Sequence, residues 1–435
     1  MSERCVAGVV VVAVVLRVVA VGGGAELCLE LPQPVASSAA AMRAAGVARR
    51  MPAFILGSPK IVKPVAPSVV DLFLELAAIP SPSGKERPVA DRVGTYLTEL
   101  GLAWDEDASG EAVGSDAGNI YCRLPGRDET GTPVFLCAHL DTVPPEGPIE
   151  PVVEDGIVRN AAGTILGGDN KAAVAAMLEG ARRIVTEGRP HAGVELVFTT
   201  KEEVGLLGAA AFDATRLEAD LGFVYDHAAP IGEVVIGAPS ARSFEVRFHG
   251  RAAHAGIAPE EGRSAIQAAS RAIADLRLGR IDDVTSANVG VISGGTARNV
   301  VPEWCTLRAE ARSHDERTLS ELVQEMMDAF SYAASVSDCT VEIEVREQYR
   351  GYRFRSDDRV ISLAETALRG AGVETHTALC GGGADANVFN LAGIPCVVLA
   401  NGMAEIHTPD EHIAAADVER MVDVTLGLVE AARAS

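Results

Sequence analysis

Residues 133–141 read PVFLCAHLD: a short, wholly apolar run followed at once by His139, Leu140 and Asp141. A run with no polar face reads as a strand buried on both sides, as in a parallel sheet covered by helices. The same design recurs along the chain. Residues 194–200 (VELVFTT) lead into Lys201-Glu202-Glu203, residues 221–225 (LGFVY) into Asp226, and residues 394–400 (IPCVVLA) run on towards His407. Between the first two runs, Val174, Met177, Leu178, Ala181, Ile184 and Val185 recur at helical spacing over residues 170–187. Residues 69–78 and 87–100 also read as helices. Strands alternating with helices predict an α/β fold with a mostly parallel sheet.

The middle of the chain has a different pattern. Residues 243–249 alternate, with Phe244, Val246 and Phe248 on one face. Residues 264–278 read as a helix, 287–293 and 304–312 as strands. Residues 316–335 form a helix with Leu319, Leu322, Val323, Met326, Met327 and Phe330 as its apolar stripe, and residues 340–346 alternate again. The order β-α-β-β-α-β predicts a ferredoxin-like α+β unit. The expected organisation is a catalytic α/β domain made of residues 68–237 and 350–435, with a second domain inserted at 238–349.

The 435 residues include 60 acidic and 38 basic side chains, a net charge of −22. That surplus repels nucleic acid and anionic membrane, so neither is an expected partner. The eight cysteines form no C-x-x-C pair and mostly sit in apolar runs. Buried, reduced thiols in a cytoplasmic protein are therefore expected, in preference to a disulfide framework.

Residues 1–67 stand apart, carrying seven basic and three acidic residues. The apolar run at 6–21 is broken by Arg17, is short for a membrane span and lacks a clean signal-peptide cleavage site. Only five of the basic residues in the whole chain are lysine, the skew of GC-rich coding sequence. The segment is expected to be an atypical leader, either disordered or translated from upstream DNA, with Met51 as the natural start.

The chemistry lies where the strands end. Sites in open parallel sheets form beyond the carboxyl ends of the strands, and these strands deliver His139, Glu202, Glu203, Asp226 and His407 there. Asp169 begins a helix in Gly167-Gly168-Asp169-Asn170. Imidazole and carboxylate suit zinc, and a bridging carboxylate can hold two metals about 3.5–4 Å apart. Asp169 fits that bridging role. His139 and Asp226 would complete one metal site, Glu203 and His407 the other. Asp141 is expected to accept the second N–H of His139 and fix its tautomer. In the Glu202-Glu203 pair one carboxylate can ligate while the other, Glu202, takes the proton from water held at the metals. Each piece alone has an ordinary reading as a turn, a cap or a loop pair. Four of them in order at strand ends do not.

These residues resemble a known family. HLDTVPP (139–145), GGDNKAAVAAMLE (167–179), TTKEEVGLLGA (199–209), GRAAHAGIAPEEGRSAI (250–266), SGGTARNVVPE (293–303), EARS (310–313), GGGADANVFN (381–390) and IHTPDEHI (406–413) look like the dinuclear zinc peptidases. That family includes peptidase T, glutamate carboxypeptidases, aminoacylases and succinyl-diaminopimelate desuccinylase. The likeness spans roughly residues 68–430. YDHAAPIGEV (225–234) and the lid motifs are most similar to the peptidase T-like branch.

The resemblance implies two zinc ions per subunit (cobalt or manganese accept similar ligands), held by the five ligands already named, with Glu202 as general base. It also implies a cis peptide bond between Asp169 and Asn170, and a lid that commonly dimerises. His254 would reach the site of a partner copy and polarise the scissile carbonyl, Asn299 and Arg312 would bind substrate carbonyl or carboxylate, and the backbone of Gly383 would touch substrate. His227 stands where peptidase T tends to carry glycine, and either adds a ligand or hydrogen bond near the metals or tunes substrate preference. His376 and His412 read as surface-loop histidines. The expected activity is hydrolysis of short peptides, as by an aminotripeptidase. The alternatives are an N-acyl amino acid amidohydrolase or dipeptidase of the same family, and a catalytically dead scaffold, whose mark would be a lost ligand or lost base.

Overall fold

The computed structural model describes residues 16–20, 68–126 and 131–435. Met51, and all of the leader except the backbone of Leu16–Ala20, lie outside the described residues.

The continuous apolar runs form the centre of a nine-stranded sheet. Val134–His139, Val194–Thr199, Leu221–His227 and Cys396–Ala400 lie side by side and parallel. Every residue of Val134–His139 and Val194–Thr199 is buried. The helix Gly168–Glu187 makes the crossover between these two strands and buries Val174, Met177, Leu178, Ala181 and Ile184. It packs with the helices Val69–Ala77 and Ala415–Arg433. Ser68 starts the first of these as a capping box, its hydroxyl accepting from the Asp71 N–H while the Asp71 carboxylate accepts from the Ser68 N–H. Antiparallel strands close the sheet on both sides, Ile120–Leu124 and Trp104–Glu106 at one and Glu233–Ala238 at the other.

The alternating segments build a second, antiparallel sheet. Its order runs from Thr340–Tyr349 through Ser240–His249, Trp304–Ser313 and Thr285–Gly294 to Gly279–Asp282. Two helices, Ala265–Asp275 and Glu316–Val336, cover one face. Their caps are Ser264 and Asp315, whose side chains accept from the Gln267 and Thr318 N–H groups. Phe244, Val246 and Phe248 point into this core beside Leu322, Met326 and Phe330. Phe330 is fully buried and meets Phe244 and Phe248 edge-on, at centroid separations of 6.1 and 6.4 Å. Removing that ring empties a space three elements share. Phe330→Ala is therefore expected to lower stability by about 3–5 kcal/mol, measured by urea unfolding.

Two features were not legible in advance. Leu16–Ala20 pairs antiparallel with Thr340–Tyr349, from Leu16 opposite Val345 to Ala20 opposite Val341. A β-branched apolar run is good strand material wherever a sheet edge is offered. The second feature is a small sheet of Pro151–Glu154, Ile157–Asn160, His412–Ala414 and Met403–Ala404. It holds both ends of the turn that carries His407. Among the described residues no helix is long and apolar enough to cross a membrane. The six described cysteines are unpaired, and all but Cys380 are buried.

Candidate metal centre and active site

The sheet's chemistry gathers where the central strands end. His139 closes its strand with its ring buried. Its Nε2 lies 3.5 Å from Asp169 Oδ1 and 3.7 Å from Asp226 Oδ1. On the other side, His407 Nε2 lies 3.4 Å from Asp169 Oδ2 and 3.0 Å from Glu203 Oε2. The two oxygens of one carboxylate thus face two different histidines. Asp169 Oδ1 is buried with no hydrogen-bond partner. Ligand atoms of His139, Asp169 and Glu203 lie within 4.8 Å of one another, as do those of His139, Glu202 and Asp226. Buried carboxylates and imidazoles facing one another with an oxygen unsatisfied form a donor set that fits divalent cations.

Local structure explains how each group arrives. Gly167 takes a left-handed conformation (φ 70°) immediately before the helix bearing Asp169. A side chain on Gly168 would come within 2.5 Å of Met403 Cε. The Asp169–Asn170 peptide bond is cis, as the resemblance implies. After Thr199 the chain turns through Lys201, at φ 52°. Glu86 accepts from the Lys201 N–H at 3.2 Å, and Asp141 accepts from the Glu202 and Glu203 N–H groups at 2.9 and 3.2 Å. The turn is therefore clamped before its side chains act.

Asp141 corrects one expectation. His139 Nδ1 has the Asp141 backbone carbonyl at 2.9 Å, while the carboxylate lies 3.5 Å away. That carboxylate is engaged by the two glutamate N–H groups and by Ser83 Oγ at 2.6 Å. Asp141 still serves the site, as the anchor of the Glu202-Glu203 turn and through its main chain on His139.

The electrostatics follow from crowding. Burial, then the neighbouring Asp226 charge, push the Glu202 carboxyl well above its ordinary range. Burial also raises Asp169, but the nearby His139 and His407 imidazoles more than reverse this and hold it low. Asp169 and Glu203 in turn push His407 up to about 10.

These groups open on a cavity of about 530 Å³ between sheet and lid, lined among others by Glu202, Glu203, Asp226, His407, Arg312, Tyr349, Gln348, Cys380 and Gly383. Arg312 Nη2 holds Glu310 at 2.9 Å, while its Nε is buried without a partner. Gly383 has no side chain because the Tyr349 ring lies against it: a Cβ there would meet the ring at 2.4 Å. His254 and Asn299 do not line this cavity. Both are exposed on the lid, close together through the His254–Val300 bridge.

His227 lines the same cavity as the acidic cluster, with its Nε2 2.7 Å from Glu233 Oε1; the neighbouring Cys380, then Glu233, raise it to about 8 against the opposing effect of burial. His376 is not in a loop: it begins the strand His376–Leu379 and meets the other oxygen of Glu233 at 2.9 Å. His412 likewise belongs to a strand, His412–Ala414. In both cases the strand is too short to show a pattern in sequence.

A mixed α/β sheet that gathers imidazoles and carboxylates at its strand ends, with an inserted antiparallel domain, is also the arrangement of a known peptidase family. Residues 135–431 match the model of Peptidase family M20/M25/M40. The chain belongs to this family and is a peptidase, a hydrolase acting on peptide bonds. It is 36% identical over 364 residues to the uncharacterized protein YqjE of Bacillus subtilis, covering 84% of this chain and 98% of that one. A tripeptidase structure from Staphylococcus aureus is similar at 34% identity and a TM-score of 0.79, with the same two coverages. So is the aminopeptidase PepT of Bacillus cereus, at 36% identity and a TM-score of 0.75, again over 84% and 98% of the two chains.

Proposed function

We propose that this peptidase is a zinc-dependent dinuclear enzyme that cleaves short peptides, in the manner of an aminotripeptidase. The observation that carries the reading is the Asp169 carboxylate set between His139 and His407. The likeness to a tripeptidase and to PepT supports the choice of short peptides. His139 and Asp226 would hold one cation, Glu203 and His407 the other, with Asp169 shared. When bound, the pair supplies Lewis acidity, lowering the pKa of water and polarising a carbonyl.

This chain's own residues do the rest. Glu202 stands beside the cluster as a carboxylate whose burial raises its proton affinity, which suits a general base near neutral pH. It takes the proton of the attacking water and passes it to the leaving amine nitrogen. Asp141 fixes the Glu202 backbone, so the carboxylate need not be ordered at each turnover. Arg312, with an unpartnered Nε on the cavity wall, binds the peptide's terminal carboxylate. The backbone of Gly383 lines the same wall.

The domain division proposed is a catalytic unit of residues 68–237 and 350–435 and a lid of 238–349. The lid pairs with a second copy, bringing His254 and Asn299 to the partner's cavity. The exposed apolar side chains Ile257, Val291, Ile292 and Trp304 on the lid support that homodimer. The unpaired state of the six described cysteines supports a cytoplasmic location.

The test is a panel of tripeptides, dipeptides and N-acyl amino acids, assayed with and without added zinc. Tripeptides should be the best substrates and should require the metal. Faster turnover of N-acyl amino acids would replace the peptide assignment. Within the panel, Arg312→Ala should raise KM for free-acid tripeptides about ten- to hundredfold, the loss of one charged hydrogen-bonding partner. It should leave C-terminally amidated peptides unchanged.

A further inference from the structure

One buried acid has no part in the scheme above. Glu411, 2% exposed, lies four residues past His407. Its Oε2 accepts from the Leu166 and Gly167 N–H groups at 2.8 and 3.0 Å, and its Oε1 from the Asp169 N–H at 3.0 Å. The first N–H groups of a helix have no partner within the helix. Gly167, at the cap position, offers no side-chain hydrogen bond. Glu411 fills that role from more than 240 positions away, and a negative charge there is also favoured by the helix dipole. The loop is further confined by Met403, which stands where a Gly168 side chain would be. Glu411 itself is the residue just before the strand His412–Ala414, so it is fixed in the small sheet that also frames the His407 turn.

We infer that Glu411 is a positioning residue that locks the Asp169 loop to the His407 turn and thereby sets the spacing of the two metal positions. This rests on the dinuclear reading above. The carboxylate has only acceptors and meets three donors. An amide in its place would direct an N–H group at one of them, releasing the Asp169 backbone without emptying the pocket.

The test compares wild type, Glu411→Gln and Asp410→Asn, the last a neighbour whose side chain touches none of these groups. Metals per chain and zinc affinity are read by competition with a chromogenic chelator, and melting temperatures are taken with and without zinc. For Glu411→Gln, affinity for at least one zinc should fall ten- to hundredfold, the usual effect of losing a ligand's support. The zinc-induced rise in melting temperature should shrink with it. Asp410→Asn should match wild type. If Glu411→Gln lowers both melting temperatures equally and binds zinc as wild type does, the role is merely structural and the inference is overturned. If Glu411→Gln does not fold, Glu411→Asp, which keeps the charge at shorter reach, is judged by the same two melts and the same criterion. Failure of the wild type itself to bind two cations would instead overturn the dinuclear reading.

Discussion

Glu202→Gln is expected to bind divalent cations as the wild type does, to melt at the same temperature, and to turn over tripeptide about a thousandfold more slowly. The substitution keeps the side chain's size and leaves intact the backbone N–H of residue 202, which is what Asp141 holds. The proposed ligands His139, Asp169, Glu203, Asp226 and His407 are unaltered. What is lost is a carboxylate that can accept a proton, and general acid–base groups contribute roughly 10²–10⁴-fold. The loss should appear in kcat with little change in KM, since the residue acts on the reacting proton and not on binding. Two alternatives make a different prediction. If Glu202 served as a metal ligand, as its closeness to His139 and Asp226 permits, the variant would lose a cation. If it were a bystander, kcat would hardly move. Steady-state kinetics with metal analysis of the same sample separates the three.

Metal removal should have the other large effect. Prolonged dialysis against a strong chelator is expected to cut tripeptide hydrolysis to below about one per cent, with zinc restoring it. The reason is electrostatic as well as chemical. Asp169, Glu202, Glu203 and Asp226 are packed together around the imidazoles of His139 and His407. Burial and the neighbouring charge of Asp169 raise Asp226, just as burial and Asp226 raise Glu202. Cations that bind only the folded cluster stabilise it by mass action, by about 4 kcal/mol at a thousandfold excess over Kd. The chelated protein should accordingly melt at a lower temperature. Full activity after chelation would mean that these carboxylates serve some other purpose.

How much of this could be read from the amino acids alone follows from where the information lies. PVFLCA, VELVFTT, LGFVY and IPCVVLA declare themselves as central strands because a strand covered on both faces admits almost no polar residue. Since such sheets place their sites beyond the strand ends, His139, Glu202, Glu203, Asp226 and His407 could be grouped without any measured distance. Phe244, Val246 and Phe248 likewise announce the lid's inward face by alternation. Long-range hydrogen bonding was not legible. Nothing local shows that the Asp141 carboxylate would be spent on the Glu202-Glu203 turn, or that Glu411 would cap the helix bearing Asp169. The four strands that frame His407 span two to four residues each, too few for any period to emerge. His227, next to Asp226, lines the same cavity, but no local pattern announces that its Nε2 is taken up by Glu233.

The central claim is that five side chains brought together from distant parts of the chain hold two cations around the Asp169 carboxylate. Crystals grown with zinc, measured on either side of its absorption edge, address this directly. Two anomalous peaks are predicted, one against His139 and Asp226 and one against Glu203 and His407, both within bonding distance of Asp169. No peak at these residues, or zinc bound only elsewhere on the molecule, would contradict the account.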